Sequence, residues 1–264
     1  MKPDLKSALA AAHDAADAAQ RVIERYQNEG NWSVTLKSDD SPVTEVDVAA
    51  EKAISAILQP ALPDAVFFGE ETGKTAQTEN AELLWLVDPI DGTKSFIRQM
   101  PFFSTQIALA VNQRLSVGVS NAPAYAQRLC AVIGEGVWLN DEPVQCRNDI
   151  KRVEDAFLSS GNLGSLAEDA AAWQRYGNLV TQVRRVRGYG DFCHYHQLCC
   201  GQTDLIVESD VNILDIAALT VCVEAAGGVI TDLHGATIAQ STTSVLAAAT
   251  SELHEHAMQL LHGN

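Results

Sequence analysis

Asp88 and Asp91 stand three residues apart in the stretch Leu83-Leu84-Trp85-Leu86-Val87-Asp88-Pro89-Ile90-Asp91-Gly92-Thr93-Lys94-Ser95-Phe96. Both are hard oxygen anions of the kind that hold a divalent cation. Gly92 permits a backbone conformation that a β-carbon hinders, and Thr93 is a good helix N-cap. A helix starting there presents free N–H groups, which suit a phosphate. The combination points to a seat for metal ions and a phosphate. An acidic turn with a capping threonine is the plainer alternative, and Asp-x-x-Asp alone does not exceed it.

Further carboxylates fall where strands or loops end: Glu70-Glu71 after an apolar run, and Asp215 at a helix start. Each has an ordinary explanation, since Glu70 and Glu71 can be solvated and Asp215 can favour a helix dipole. Asp47 follows Thr44 by three residues, the spacing of a capping box. Together these residues supply enough oxygen donors for Mg²⁺, which takes octahedral oxygen ligands and keeps some water.

The elements that must position them follow from periodicity. Leu5, Leu9, Ala12, Ala16, Ala19, Val22, Ile23 and Tyr26 form a helical stripe. Trp32 to Leu36 alternates as a strand, Lys37 to Pro42 is a polar loop, and Val48, Ala49, Ile54, Ile57 and Leu58 outline a second helix. Residues 65–69 and 83–87 are buried strands, and Pro89 is expected to end the latter, because it fixes φ and lacks an N–H. Alternation over 103–111 and 115–119 predicts a hairpin turning at residues 112–114, followed by strands at 127–133 and 136–139. Strand and helix then alternate to the end, with helices at 166–180, 191–200, 215–226 and 251–261. This pattern indicates layered α/β packing, divided into halves at 1–148 and 149–264.

Composition narrows the classes. The chain has 264 residues, 47% of them hydrophobic, enough for a substantial core and against disorder. No apolar run reaches membrane-span length and the N-terminus lacks a signal-peptide core, so a cytoplasmic protein without a membrane partner is expected. With 34 acidic and 18 basic residues the net charge is −16, and no basic stripe suits nucleic acid. An acidic protein that handles an anionic substrate needs cations to offset repulsion, which favours bound metals; the acidity serves equally as a solubility feature. The six cysteines lack Cys-x-x-Cys spacing and read as reduced packing residues; the seven scattered histidines do not suggest zinc.

The string Asp88-Pro89-Ile90-Asp91-Gly92-Thr93, preceded by Gly69-Glu70-Glu71, resembles the inositol monophosphatase family. Ser41-Pro42-Val43-Thr44-x-x-Asp47 upstream, and Asp215-x-Ala217-Ala218 with Glu224-Ala-Ala-Gly227-Gly228 downstream, follow that family's order. The resemblance implies an αβαβα sandwich of the inositol monophosphatase and fructose bisphosphatase type, forming a homodimer. It also implies an Mg²⁺-dependent phosphomonoesterase with two or three ions per active site. Glu70, Asp88, the carbonyl of Ile90, Asp91 and Asp215 would be ligands. Thr93 and Asp47 would take the proton of an attacking water, which Glu70 would hold. The amides of Gly92 and Thr93 would bind phosphate. Where family members often carry Trp before the helix-start aspartate, this chain has Leu214.

Substrate choice would fall to Gly190, Asp191, Glu208 and the loop 209–214. Lys94-Ser95-Phe96-Ile97-Arg98, Gly190-Asp191 and Asp215-Ile216-Ala217-Ala218-Leu219 resemble the histidinol-phosphatase branch. A carboxylate at Asp191 suits a substrate bearing an ammonium and an imidazole, although it could instead cap the following helix. Histidinol phosphate is therefore placed ahead of inositol phosphate, with a 3′-phosphonucleotide third. A protein-binding, regulatory family member is the reading from another class, but every acidic ligand position is filled.

Overall fold

The computed structural model describes residues 3–30, 32–36 and 42–263; the expected loop at 37–41, with Ser41 of the upstream motif, lies outside them. The chain opens with α1 (Leu5–Glu29), whose alanine-rich face is buried as the stripe predicts. A short antiparallel pair, β1 (Val34–Leu36) and β2 (Pro42–Thr44), leads into α2 (Glu45–Ala61). The buried residues of α2 are Val46, Asp47, Ala50, Glu51, Ile54 and Leu58, whereas Val48, expected in the apolar stripe, is exposed. The period is helical, but two of its inward positions are acids.

A seven-stranded sheet follows, built from β3 (Val66–Gly69), β4 (Leu83–Asp91), β5 (Ser104–Val111), β6 (Arg114–Ala122), β7 (Gln127–Val132), β8 (Gly136–Leu139) and β9 (Glu142–Pro143), in that spatial order. Only β3 and β4 run parallel; the helix α3 (Thr93–Ile97) lies between β4 and β5. Contrary to expectation, β4 continues through Pro89. Asp88 pairs with Gln106 and Asp91 with Ser104, three steps on β4 against two on β5. The extra residue makes a β-bulge, where a missing N–H does not interrupt the ladder. The Thr105 hydroxyl donates to the Pro89 carbonyl at 2.9 Å, and the Ile90 amide donates to Asp88 Oδ1 at 2.9 Å.

The later residues build a five-stranded sheet from β10 (Phe157–Gly161), β11 (Arg185–Arg187), β12 (Leu205–Ser209), β13 (Val229–Thr231) and β14 (Ser244–Ala248), in spatial order β11-β10-β12-β14-β13. Its helices are α4 (Gly164–Glu168), α5 (Ala170–Gln182), α6 (Asp191–Cys199), α7 (Ile213–Ala225) and α8 (Ser251–His262). The single helix expected over 166–180 is two, because Asp169 leaves the helical conformation to accept the amides of Ala171 and Ala172 as the cap of α5.

Strand alternation sorts the side chains into layers. Trp85 and Val87 face α1 and α2, whereas Leu84 and Leu86 face α7. Ile206 joins that same inner cluster, while Leu205 and Val207 point outward to Leu179 of α5 and Leu253 of α8. The order is therefore α1/α2, large sheet, α6/α7, small sheet, α5/α8, an αβαβα sandwich. Helix α7 touches the large sheet without a spacer, since a β-carbon at Gly118 would run into the Ala218 carbonyl. Gly118→Ala is expected to cost about 1–3 kcal/mol through overpacking. A urea-unfolding midpoint unchanged from wild type would contradict this account of the contact.

Candidate active site

The acidic residues meet where β3 and β4 end and where α2, α3 and α7 begin. Carboxylate oxygens of Asp88, Asp91 and Asp215 all lie within 4.8 Å of one another. Asp88 is buried on the strand, and Asp91 lies past the bulge, oriented by the Ser104 hydroxyl at 3.1 Å. Ser104 is itself held by Gln106 Nε2 at 2.8 Å. Asp215 arrives from the second sheet's side as residue N3 of α7, and caps it: its Oδ2 accepts the Asn212 amide at 2.8 Å and its Oδ1 accepts Asn212 Nδ2 at 2.7 Å. Glu70 follows β3, its amide bonded to the Val87 carbonyl at 3.1 Å, which sets it beside Asp88.

Burial pushes the Asp88 carboxyl well above the usual carboxylate range, and the negative charges of Glu70, Asp91 and Asp215 push it further. Asp91 is raised well above that range by burial and then by Asp191, Asp215 and Glu208. Asp215 is raised to about 7, again mainly by burial, against the lowering effect of the Asn212 amide. Among the described residues no lysine or arginine forms an ion pair with Asp88, Asp91 or Asp215. An all-oxygen donor set of one buried and two half-buried carboxylates fits a hard divalent cation.

Asp47 completes a capping box, as its spacing predicts. Its Oδ2 accepts the Thr44 amide at 2.8 Å and the Thr44 hydroxyl at 2.5 Å, while its Oδ1 faces the Thr93 hydroxyl at 3.2 Å. Thr93 is not the expected N-cap of α3. Gly92 takes that place with φ +94°, and a β-carbon on it would come within 2.8 Å of the Phe102 carbonyl. Thr93 is instead the first helical residue. Its hydroxyl is thereby left to reach Asp47 Oδ1 and the Ile90 carbonyl, the latter at 3.0 Å. The first bonds of α3 run from the Ser95 and Phe96 amides to the Gly92 carbonyl, so the Thr93 and Lys94 amides precede them. Burial raises the Asp47 carboxyl above its ordinary pKa.

The residues expected to select substrate adjoin this cluster. A cavity of about 20 Å³ is lined by Asp91, Asn162, Asp191, Tyr195, Glu208 and Asp215 among others. Asp191 does not cap α6. Gly190 is its N-cap with no side-chain capping bond, and Asp191 has φ +46°. Its amide donates to Glu208 Oε1 at 3.3 Å, and its carboxylate accepts from Asn162 Nδ2 at 3.5 Å. Glu208 is buried, and its Oε2 accepts the Tyr195 hydroxyl at 2.9 Å and lies 3.1 Å from His194 Nε2. Gly190 and Gly161 approach closely: a β-carbon on Gly161 would lie 2.6 Å from the Gly190 Cα. Sequence reasoning missed Ser104, Asn162, His194 and Tyr195. The last two sit three and four residues beyond Asp191, one helical turn, which is the signal that was available.

The profile of the inositol monophosphatase family matches residues 4–264. Among curated relatives, a histidinol-phosphatase of Mycobacterium tuberculosis is 35% identical over 88% of this chain and 88% of its own. A chloroplastic bifunctional phosphatase of Arabidopsis thaliana is 33% identical over 93% of this chain and 72% of its own. Among solved structures, an inositol monophosphatase from Zymomonas mobilis superposes with a TM-score of 0.83 at 29% identity, covering 99% of this chain and 100% of the other. Fold, acidic cluster and sequence agree: the chain belongs to the inositol monophosphatase family of metal-dependent phosphomonoesterases.

Proposed function

We propose that this enzyme is an Mg²⁺-dependent phosphatase that hydrolyses L-histidinol phosphate to L-histidinol and phosphate, a step of histidine biosynthesis. Glu70, Asp88, the Ile90 carbonyl, Asp91 and Asp215 would hold two or three Mg²⁺ ions. When bound, Mg²⁺ supplies positive charge to the phosphoryl oxygens and makes water more acidic at neutral pH. Glu70 orients the attacking water. The Thr93 hydroxyl takes a proton from that water as it passes its own to Asp47 Oδ1, 3.2 Å away. Burial of Asp47 favours this transfer, because it makes the carboxylate a stronger base. The Gly92 and Thr93 amides, at the start of α3, bind the phosphate.

The observation that carries the substrate reading is the company Asp91 keeps. Asp191 and Glu208 both bear on it electrostatically, and all three line one small cavity. A cationic alcohol offsets that charge, and an ammonium or imidazole N–H can donate to Asp191. Inositol phosphate, whose alcohol is neutral, is the second reading, supported by the likeness to the Zymomonas inositol monophosphatase. A homodimer, as the family resemblance implies, and a cytoplasmic location accompany this proposal. No helix of the described residues is long and apolar enough to cross a membrane.

Asp88→Asn and Asp215→Asn should each lower kcat by about 10²–10³ or more. Without metal Asp88→Asn should keep or raise the thermal midpoint, because an amide is neutral without a bound proton and its oxygen can still accept the Ile90 amide. Near-normal kcat in either variant would refute the ligand assignment.

Asp191→Ala should raise KM for histidinol phosphate about tenfold or more, the value of a charge-assisted hydrogen bond. A small generic phosphate ester should be much less affected. Equal effects, or a higher kcat/KM for inositol 1-phosphate than for histidinol phosphate in wild type, would overturn the substrate reading.

The raised carboxyls also set a pH dependence. Asp215 holds its proton up to about pH 7 when folded, against an ordinary value of 3.8. A raised folded pKa gives stability that is complete below the unfolded value and is lost as pH rises through the folded one. Asp88 and Asp91 act in the same direction. In EDTA the urea midpoint should therefore fall from about pH 5.5 to about pH 7.5. Mg²⁺ should raise it most at the higher pH, where it has no protons to displace. An EDTA midpoint that rises over this interval would contradict the assignment.

A further inference from the structure

We propose that Glu51 is a positioning residue that fixes Glu70 for cation binding, an inference that rests on the reading of Glu70 as a ligand. Glu51 is a carboxylate only 4% exposed, one helical turn beyond Asp47 on the inward face of α2. Asp47 reaches Thr93, whereas Glu51 reaches the turn that follows β3. Its Oε2 accepts the Glu71 amide at 2.7 Å, and its Oε1 accepts the Thr72 amide at 2.8 Å together with the Thr72 hydroxyl. Three donors from two consecutive residues thus close on one buried carboxylate.

The same turn is fixed from its other side. The Gly73 amide donates to the Gly69 carbonyl at 2.9 Å, and the Glu70 amide donates to the Val87 carbonyl at 3.1 Å. Glu70 lies between a strand ladder, which places it beside Asp88, and a clamp, which stops the following two residues from moving. Gly69 shows how close the fit is, because a β-carbon there would overlap the Glu51 carboxyl group. Glu70 must also stay beside Asp88, with which it shares a side-chain hydrogen bond. A free turn would let Glu70 swing away from Asp88. Fixing the turn holds the two acids together, where one cation can reach both. Groups that orient metal ligands in this way typically contribute 10- to 100-fold in metal affinity.

The test compares full-length wild type with Glu51→Gln, Thr72→Val, Thr72→Ser and Glu70→Gln. It uses Mg²⁺ titration calorimetry without substrate, and amide hydrogen exchange in EDTA. Glu51→Gln keeps the shape but puts an NH₂ where an acceptor is needed. It should weaken Mg²⁺ binding about tenfold or more and speed exchange at Glu71 and Thr72. Thr72→Val, a change on the exposed side of the turn, should weaken binding in the same direction, and Thr72→Ser should restore it. Should Glu51→Gln fail to fold, the Thr72 pair decides. Mg²⁺ affinity in Glu51→Gln or Thr72→Val indistinguishable from wild type, while Glu70→Gln binds weakly, would overturn the role of Glu51. Unchanged affinity in Glu70→Gln would instead overturn the assignment of Glu70 as a ligand.

Discussion

Repulsion among buried and half-buried carboxylates is the constraint around which this molecule is arranged. Asp88, Asp91 and Asp215 bring oxygens within 4.8 Å of one another, with Glu70 bearing on two of them. Side chains in water would separate. Here they cannot, because each is fixed to an element that the core holds in place. Asp88 and Asp91 are fastened to β5 on either side of the bulge, and Asp215 is fixed by the box it closes at the start of α7. The inner cluster, with Leu84 and Leu86 on one side and Ile206 and Val245 on the other, locks α7 between the two sheets. Apolar burial thus keeps like charges together, and a proton or a metal ion must neutralise them.

Two of the site's acids also cap helices, and the two roles reinforce each other. In Asp47 and in Asp215, Oδ2 accepts the N-cap amide at 2.8 Å. That bond fixes the rotamer. A carboxylate retains further lone pairs, so capping leaves acceptor capacity for the site. In Asp47 the remaining oxygen is the one that faces Thr93. A capping box is therefore no argument against function at these positions; it is how a helix start holds an acid still. Asp191 differs. It stands first in α6 with positive φ and makes no capping bond, so its backbone strain is offset elsewhere, by its amide's bond to Glu208.

Much of this was legible in the sequence because it lies in local patterns. The α1 stripe, the β5–β6 hairpin and the Asp88–Thr93 string depend on residues close in the chain. The layered fold followed from the alternation after residue 156. The misreadings occurred where a local rule met a distant partner. Pro89 does break regular pairing, but β5 accommodates it with one extra residue. Thr93 has an N-cap's chemistry, yet Gly92 takes the positive φ that starts the helix. Glu51 could not be identified on its own helix. An acid on an apolar face has meaning only with the Glu71 and Thr72 amides, twenty residues away, that it accepts.

The proposed reaction site and the proposed selecting site share one residue, Asp91, and share its charge. Asp215 bears on it from the metal side, Asp191 and Glu208 from the other. Ser104, the hydroxyl that orients it, opposes them only weakly as a single hydrogen-bond donor. These groups line one small cavity, so each acid lies in the field of the others. The excess negative charge cannot then be divided into a catalytic portion and a binding portion. A cation on the metal side lessens the need for one on the substrate side, and the reverse also holds. On the proposed reading the alcohol is recognised partly through the same field that gathers the metal, so a single exchange at position 191 would redirect substrate choice with the motif at 88–93 unchanged.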